Sequence, residues 1–144
     1  LRTGCLNNNG QLLKKLAQLF IKKNKATFNI YGNDYPTLDG TCVRDFIHVS
    51  DLSKIHIYFV KNRNNKNLIL NCGHGKGYSV LDIVQAFEKI CKKKINIIYN
   101  KKRVGDIDYI KSNTSFLKKN FSNLNINKNL NEIIKSTVEW EKSL

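Results

Sequence analysis

Methionine is missing altogether, and proline, tryptophan and acid are scarce: one Pro, one Trp, and 11 Asp plus Glu against 25 Lys plus Arg in 144 residues. With Leu1 first and no initiator, the chain is expected to be a piece of a longer protein. No apolar run approaches the roughly 20 residues of a membrane-spanning helix. The first residues also lack the apolar stretch of a signal peptide. Cys5, Cys42, Cys72 and Cys91 form no C-x-x-C and fit no zinc spacing. Reduced thiols and a cytoplasmic setting are therefore expected. His48, His56 and His74 show no metal-ligand spacing, so no metal is expected. Nucleophile motifs are absent too: there is no G-x-S-x-G and no H-E-x-x-H, and none of the six tyrosines has Lys four residues on. No catalytic residue is expected within these residues.

What is abundant is positive charge, a net +14. Such an excess suits a polyanion. The basic residues, however, stand in Asn-rich loops such as KNRNNKN (61–67), KKK (92–94) and NKKR (100–103), with no recognition-helix or zinc pattern beside them. They read as a solvated surface, and a phosphate-bearing small ligand suits the charge as well. A basic nucleic-acid-binding module is the alternative of a different class.

Apolar spacing alternates between helical and extended periods. Residues 11–23 carry a one-sided stripe of Leu12, Leu13, Leu16, Leu19 and Phe20. FNIYG (28–32) reads as a strand, 33–41 as a loop and 46–49 as a strand. Ser50 and Asp51 start a helix with Leu52, Ile55, Phe59 and Val60 on one face. LILNC (68–72) reads as a parallel strand buried on both faces. Ser79 with Asp82 makes a capping-box start for the clearest amphipathic helix, 80–91, on which Cys91 reads as a buried apolar residue. A strand at 95–99, a basic loop at 100–106, a short helix near 114–119, a loop over 120–131 and a last helix near 130–142 complete the chain. This is an α/β pattern with some parallel strands and no internal repeat.

Two stretches carry candidate chemistry. GHGKGYS places Gly73, Gly75 and Gly77 between a strand and a helix, where backbone N–H groups can meet an anion. It lacks the G-x-G-x-x-G spacing, so cofactor binding is not expected of it. Arg44 with Asp45, and Arg103 with Asp106, each join a planar cation suited to phosphate to a nearby carboxylate. Adjacent on a strand, Arg44 and Asp45 point to opposite faces and do not serve each other. For Arg103 and Asp106, a surface salt bridge and a ligand site both remain open on the residues alone.

IYGNDYPTLDGTCVRDFIHVSDL (30–52), LNCGHGKGYSVLDIVQAFEKICKKKI (70–95) and RVGD (103–106) closely resemble successive blocks of the UDP-glucose 4-epimerases. These are extended members of the short-chain dehydrogenase/reductase superfamily. The resemblance runs from about residue 10 to the end. It implies the C-terminal part of a Rossmann-type, NAD-dependent epimerase: a small α/β substrate-binding domain, with 45–63 packing on a cofactor domain outside this chain. It also implies interconversion of UDP-glucose and UDP-galactose through a 4-keto intermediate, and a homodimer in full-length form. The NAD loop and the proton-transfer residues would lie in the N-terminal half, leaving these residues inactive alone. A UDP-glucuronate epimerase or decarboxylase is the related alternative.

Carried over by position, Arg44 and Arg103 would contact the UDP phosphates and Asp106 a ribose hydroxyl. Asn29 and Tyr31 match the segment whose backbone receives the uracil, and Leu12 a position whose backbone approaches a phosphate. Gln11 stands where Asn is common, and Lys14 where the family has Pro. Lys76 replaces a small or apolar residue near the nucleotide. Ile110 occupies the position that sets sugar-pocket size, and its intermediate bulk leaves N-acetylhexosamine use open.

Overall fold

A computed structural model describes residues 11–22, 27–62 and 67–144. Three helices cover one face of a two-stranded parallel sheet. Helix α1 (Leu12–Ile21) packs on α3 (Val80–Cys91) and α5 (Leu130–Lys142), and α3 packs on α5. Strand β1 (Thr27–Tyr31) pairs in parallel with β4 (Asn96–Asn100), from Thr27 with Asn96 to Tyr31 with Asn100. The apolar positions of each element meet in one core of Leu16, Ala17, Phe20, Phe28, Ile30, Ile83, Val84, Phe87, Ile134 and Val138. Phe20 and Phe87 stack there at 5.5 Å between ring centres. Alternation along β1 sends Phe28 and Ile30 inward and leaves Thr27, Asn29 and Tyr31 on the outer face.

The capping signals act as their residues dictate. Ser79 accepts from the Asp82 N–H at 2.9 Å, and Asp82 accepts from the Ser79 N–H at 3.0 Å, closing the box that starts α3. Asn129 and Glu132 make the same exchange at α5. Helix α3 stops at Lys92, which adopts a left-handed φ of 52°.

A second sheet is an antiparallel ribbon of β2 (Val43–Asp45) and β3 (Gly77–Ser79), with Arg44 opposite Tyr78. Here the structure corrects the sequence reading. The strand expected at 46–49 lies earlier, because residues 43–45 are the ones that find partners in 77–79. Helix α2 (Val49–Lys61) already begins at Val49, capped by His48, whose Nδ1 accepts from the Ser50 N–H at 3.0 Å. Residues 68–72 form no strand among the described residues. Their apolar side chains find little cover, and Ile69 is fully exposed. Cys91 is half-buried against the core rather than inside it, and burial pushes its thiol pKa up. Helix α4 (Ser115–Asn120) sits one residue later than expected, and the loop expected over 120–131 is confined to 121–129, between α4 and α5.

Candidate functional site

The C-terminal ends of β1 and β4 lie side by side, and Gly32 extends the pairing by donating to the Asn100 carbonyl at 2.8 Å. The chain leaving β4 therefore passes Tyr31. Three residues on, the Arg103 guanidinium lies over the Tyr31 ring, 4.5 Å from its centre. Arg103 Nε donates to Asp106 Oδ2 at 3.1 Å. The contact uses the Nε edge of the fork and one carboxylate oxygen. It leaves the Nη1–Nη2 edge and Asp106 Oδ1 to a ligand, so the pairing and a ligand role are compatible. Asn29 shares the outer face with Tyr31, and its Oδ1 accepts from Asn100 Nδ2 at 3.0 Å. A groove of about 280 Å³ runs along this edge between Asn29, Tyr31, the α1 residues Lys15 and Gln18, and Lys22 just after that helix.

A second group gathers on the ribbon. Directly opposed residues of an antiparallel pair share a face, so Arg44 and Tyr78 lie side by side. Lys76 Nζ sits 5.1 Å from the centre of the Tyr78 ring. Arg44 Nη1 donates to its own neighbour's carbonyl, Val43 O, at 2.8 Å. Val43 also bonds the segment after Asp106: its N–H donates to Asp108 O at 2.8 Å, and its carbonyl accepts from Ile110 N–H at 3.0 Å. Residues 103–110 thus run from the Tyr31 end of the sheet to the ribbon and bring Ile110 beside Arg44. Gln11 lies elsewhere, before Leu12 at the start of α1. It lines a groove of about 360 Å³ with Lys14, Ile47, His48, Val49 and residues of α5.

Asp45, on the opposite face from Arg44, has a structural task that the sequence did not reveal. Its carboxylate accepts from the backbone N–H groups of His74 (3.2 Å), Gly75 (2.9 Å) and Ser112 (3.3 Å). The His74 and Gly75 N–H groups of the glycine loop are thus turned onto a protein carboxylate. Gly73 is required by that approach, since a Cβ there would stand 2.5 Å from Asp45 Oδ2; Gly75 is required by its φ of 70°. A carboxylate one residue from a strand arginine, facing a glycine loop, was the available signal.

Asp39 anchors the 33–41 loop by accepting from the Thr41 N–H and hydroxyl at 2.9 and 2.8 Å and from the Ser79 hydroxyl. Burial pushes its carboxyl up, but these donors outweigh that and hold it below the usual carboxylate range. Tyr35 lies under Lys102, whose Nζ is 4.5 Å from the ring centre, and burial raises its phenol pKa. Among the described residues no group of three or more His, Cys, Asp or Glu side chains is placed to hold a metal, and no helix is long and apolar enough to cross a membrane.

Two short sheets under a helical layer, with arginines and tyrosines at strand ends, resemble a part of the Rossmann-like epimerase class. Within that class the chain is a relative of the UDP-glucose 4-epimerases and matches a C-terminal portion of them. It is 31% identical over 145 residues to the UDP-glucose 4-epimerase of Azospirillum brasilense, covering 99% of this chain and 42% of the relative. It is 41% identical over 120 residues to that of Homo sapiens, covering 78% of this chain and 34% of the relative. The crystal structure of UDP-glucose 4-epimerase from Bifidobacterium longum in complex with NAD+ and UDP superposes with a TM-score of 0.82 at 30% identity. It covers 92% of this chain and 39% of that one. The chain thus spans less than half the length of the curated relatives it matches. No family profile matches it.

Proposed function

We propose that the full-length protein interconverts UDP-glucose and UDP-galactose by epimerisation at C4, and that these residues supply its UDP-sugar site. Bound NAD supplies reversible hydride acceptance at the sugar carbon. Asp45 takes up the His74 and Gly75 N–H groups of the glycine loop, which supports a cofactor site formed by residues outside this chain. The residues present do the gripping. The outer edge of β1 at Asn29 and Tyr31 receives the uracil through its backbone. Asp106 accepts a ribose hydroxyl on its second oxygen. Arg103 offers the Nη edge of its fork to the diphosphate, and Arg44 and Lys76 approach it from the ribbon face. Ile110 borders the sugar, while the roles of Gln11 and the Leu12 backbone rest on the resemblance alone, since Gln11 lines a separate groove. Helix α2 packs on the cofactor domain: Val49, Ile57 and Val60 are 50, 53 and 71% exposed here, an apolar face that such a domain covers. The active form is a cytoplasmic homodimer.

The observation that carries this reading is the Tyr31–Arg103–Asp106 arrangement, a phosphate-binding fork held with one edge open beside a strand end. Arg103→Ala in the full-length protein should weaken UDP binding by about 2–5 kcal/mol in calorimetry. Unchanged affinity would sink the assignment of Arg103. Turnover by these 144 residues alone would contradict the division of labour.

A further inference from the structure

Lys102 stands one residue before Arg103, in a stretch without regular structure. Its ammonium is held three ways by the turn that follows β1. Nζ donates to the Asp34 carbonyl at 3.1 Å, pairs with Asp34 Oδ1 at 3.2 Å and lies 4.5 Å from the centre of the Tyr35 ring. The lysine stem crosses Gly32 so closely that a Cβ there would stand 2.9 Å from Lys102 Cγ. The turn is itself fixed. Tyr35 is buried, its N–H donates to the Gly40 carbonyl at 3.0 Å, and Asp39 accepts from the Ser79 hydroxyl at the start of α3. A surface lysine gives up much rotamer freedom to be held this way. An exposed ion pair alone is worth little, but here a carbonyl and a ring face converge on the same ammonium.

We propose that Lys102 is a positioning residue: clasped by Asp34 and Tyr35, it fixes the main chain from which Arg103 reaches the diphosphate. This rests on the reading that Arg103 meets a UDP phosphate. Contacts with Tyr31 and Asp106 set the direction of the guanidinium, but they do not set where its backbone stands. Lys102 does so by tying the exit of β4 to a loop that the start of α3 anchors. Its ammonium is turned to Asp34 and Tyr35, so its effect on the nucleotide passes through Arg103.

The test is calorimetry with UDP on the full-length protein, run as a cycle between positions 102 and 103. Lys102→Met should weaken UDP about two- to fivefold, the size of an exposed ion pair with a cation–π contact. Lys102→Arg, which keeps a cation beside Asp34 and over the ring, should retain most of the affinity. In an Arg103→Ala background, Lys102→Met should cause no further loss. A lysine that acted on the phosphates directly, or by its charge through space, would cost the same affinity in both backgrounds, and that result overturns the inference. Asp34→Ala gives a check of opposite charge. Removing an acid near an anionic ligand tightens binding by charge alone, whereas loosening the clasp weakens it. UDP binding that Asp34→Ala fails to weaken, or that Lys102→Met leaves unchanged, also overturns the inference. Should Arg103→Ala itself leave UDP affinity unchanged, the assignment of Arg103 falls and this inference with it. A loss with Arg103→Ala and none with Lys102→Met removes this inference alone.

Discussion

The Gly75 N–H donates to a carboxylate oxygen of Asp45 at 2.9 Å, tying the glycine loop to the back of the strand that carries Arg44. His74 and Ser112 add two more N–H donors to the same group. Asp45→Ala leaves these donors without their acceptor and should lower the free energy of unfolding by about 2–4 kcal/mol. Asp45→Asn keeps one oxygen and should lose less. Urea titration followed by circular dichroism measures both.

Asp51 is fully buried in the first turn of α2. Burial pushes its carboxyl up, but hydrogen bonds from Lys54 Nζ and the Lys128 N–H, each 2.9 Å, together with the Lys54 charge, hold it below the usual range. A depressed carboxyl stabilises the fold above its unfolded-state value, near about pH 4, and the stabilisation is lost as pH falls through the folded value. Stability should therefore drop in acid below about pH 4. Asp51→Asn should be less stable at neutral pH and show a shallower acid slope. Unfolding midpoints across this range check the sign.

Ile110 is held beside Arg44 by its own N–H on Val43 O, a contact that side-chain replacement leaves in place. Its side chain is 44% exposed. Ile110→Tyr should reduce kcat/KM for UDP-N-acetylglucosamine relative to UDP-glucose by about tenfold or more, and Ile110→Ala should raise that ratio. Coupled assays with the two substrates give the ratio directly.

Val60 and Ile69 are 71 and 100% exposed, and Val49 and Ile57 stand half-open on α2. Expressed without a cofactor domain, the chain should associate through such apolar surface. Size-exclusion chromatography should show species larger than a monomer, and replacing Val60 and Ile69 by Ser should shift them toward it. A sharp monomeric peak for the unchanged chain would count against the docking of α2.

The helices with long one-sided stripes were legible in the sequence, as was the capping box at Ser79 and Asp82. Their apolar periods are local facts that packing only confirmed. The ribbon was not legible. Val43 to Asp45 is too short for a periodic signal, and Gly77 to Ser79 contains a glycine and no apolar run. Each is extended because the other is there. The apolar run at 68–72 misled for the converse reason: strand composition forms a strand only where an edge receives it. Arg44 and Arg103 stood out as candidates by type and by resemblance, while the contact of the Tyr31 ring with Arg103 and the bonds of the Asp45 carboxylate appeared only with the geometry that joins distant segments.

That geometry has a kinetic side. Thr27 waits for Asn96 before β1 has a partner, and Val43 waits for Ser79. Long loops must close before either sheet returns any hydrogen bonds, a topology that slows folding. During synthesis the arginine at 44 emerges long before the segment at 103–110 that braces it. The Tyr31–Arg103 and Val43–Ile110 contacts therefore form only after residues 103–110 have emerged, and a chain interrupted before β4 has neither the parallel sheet nor those contacts.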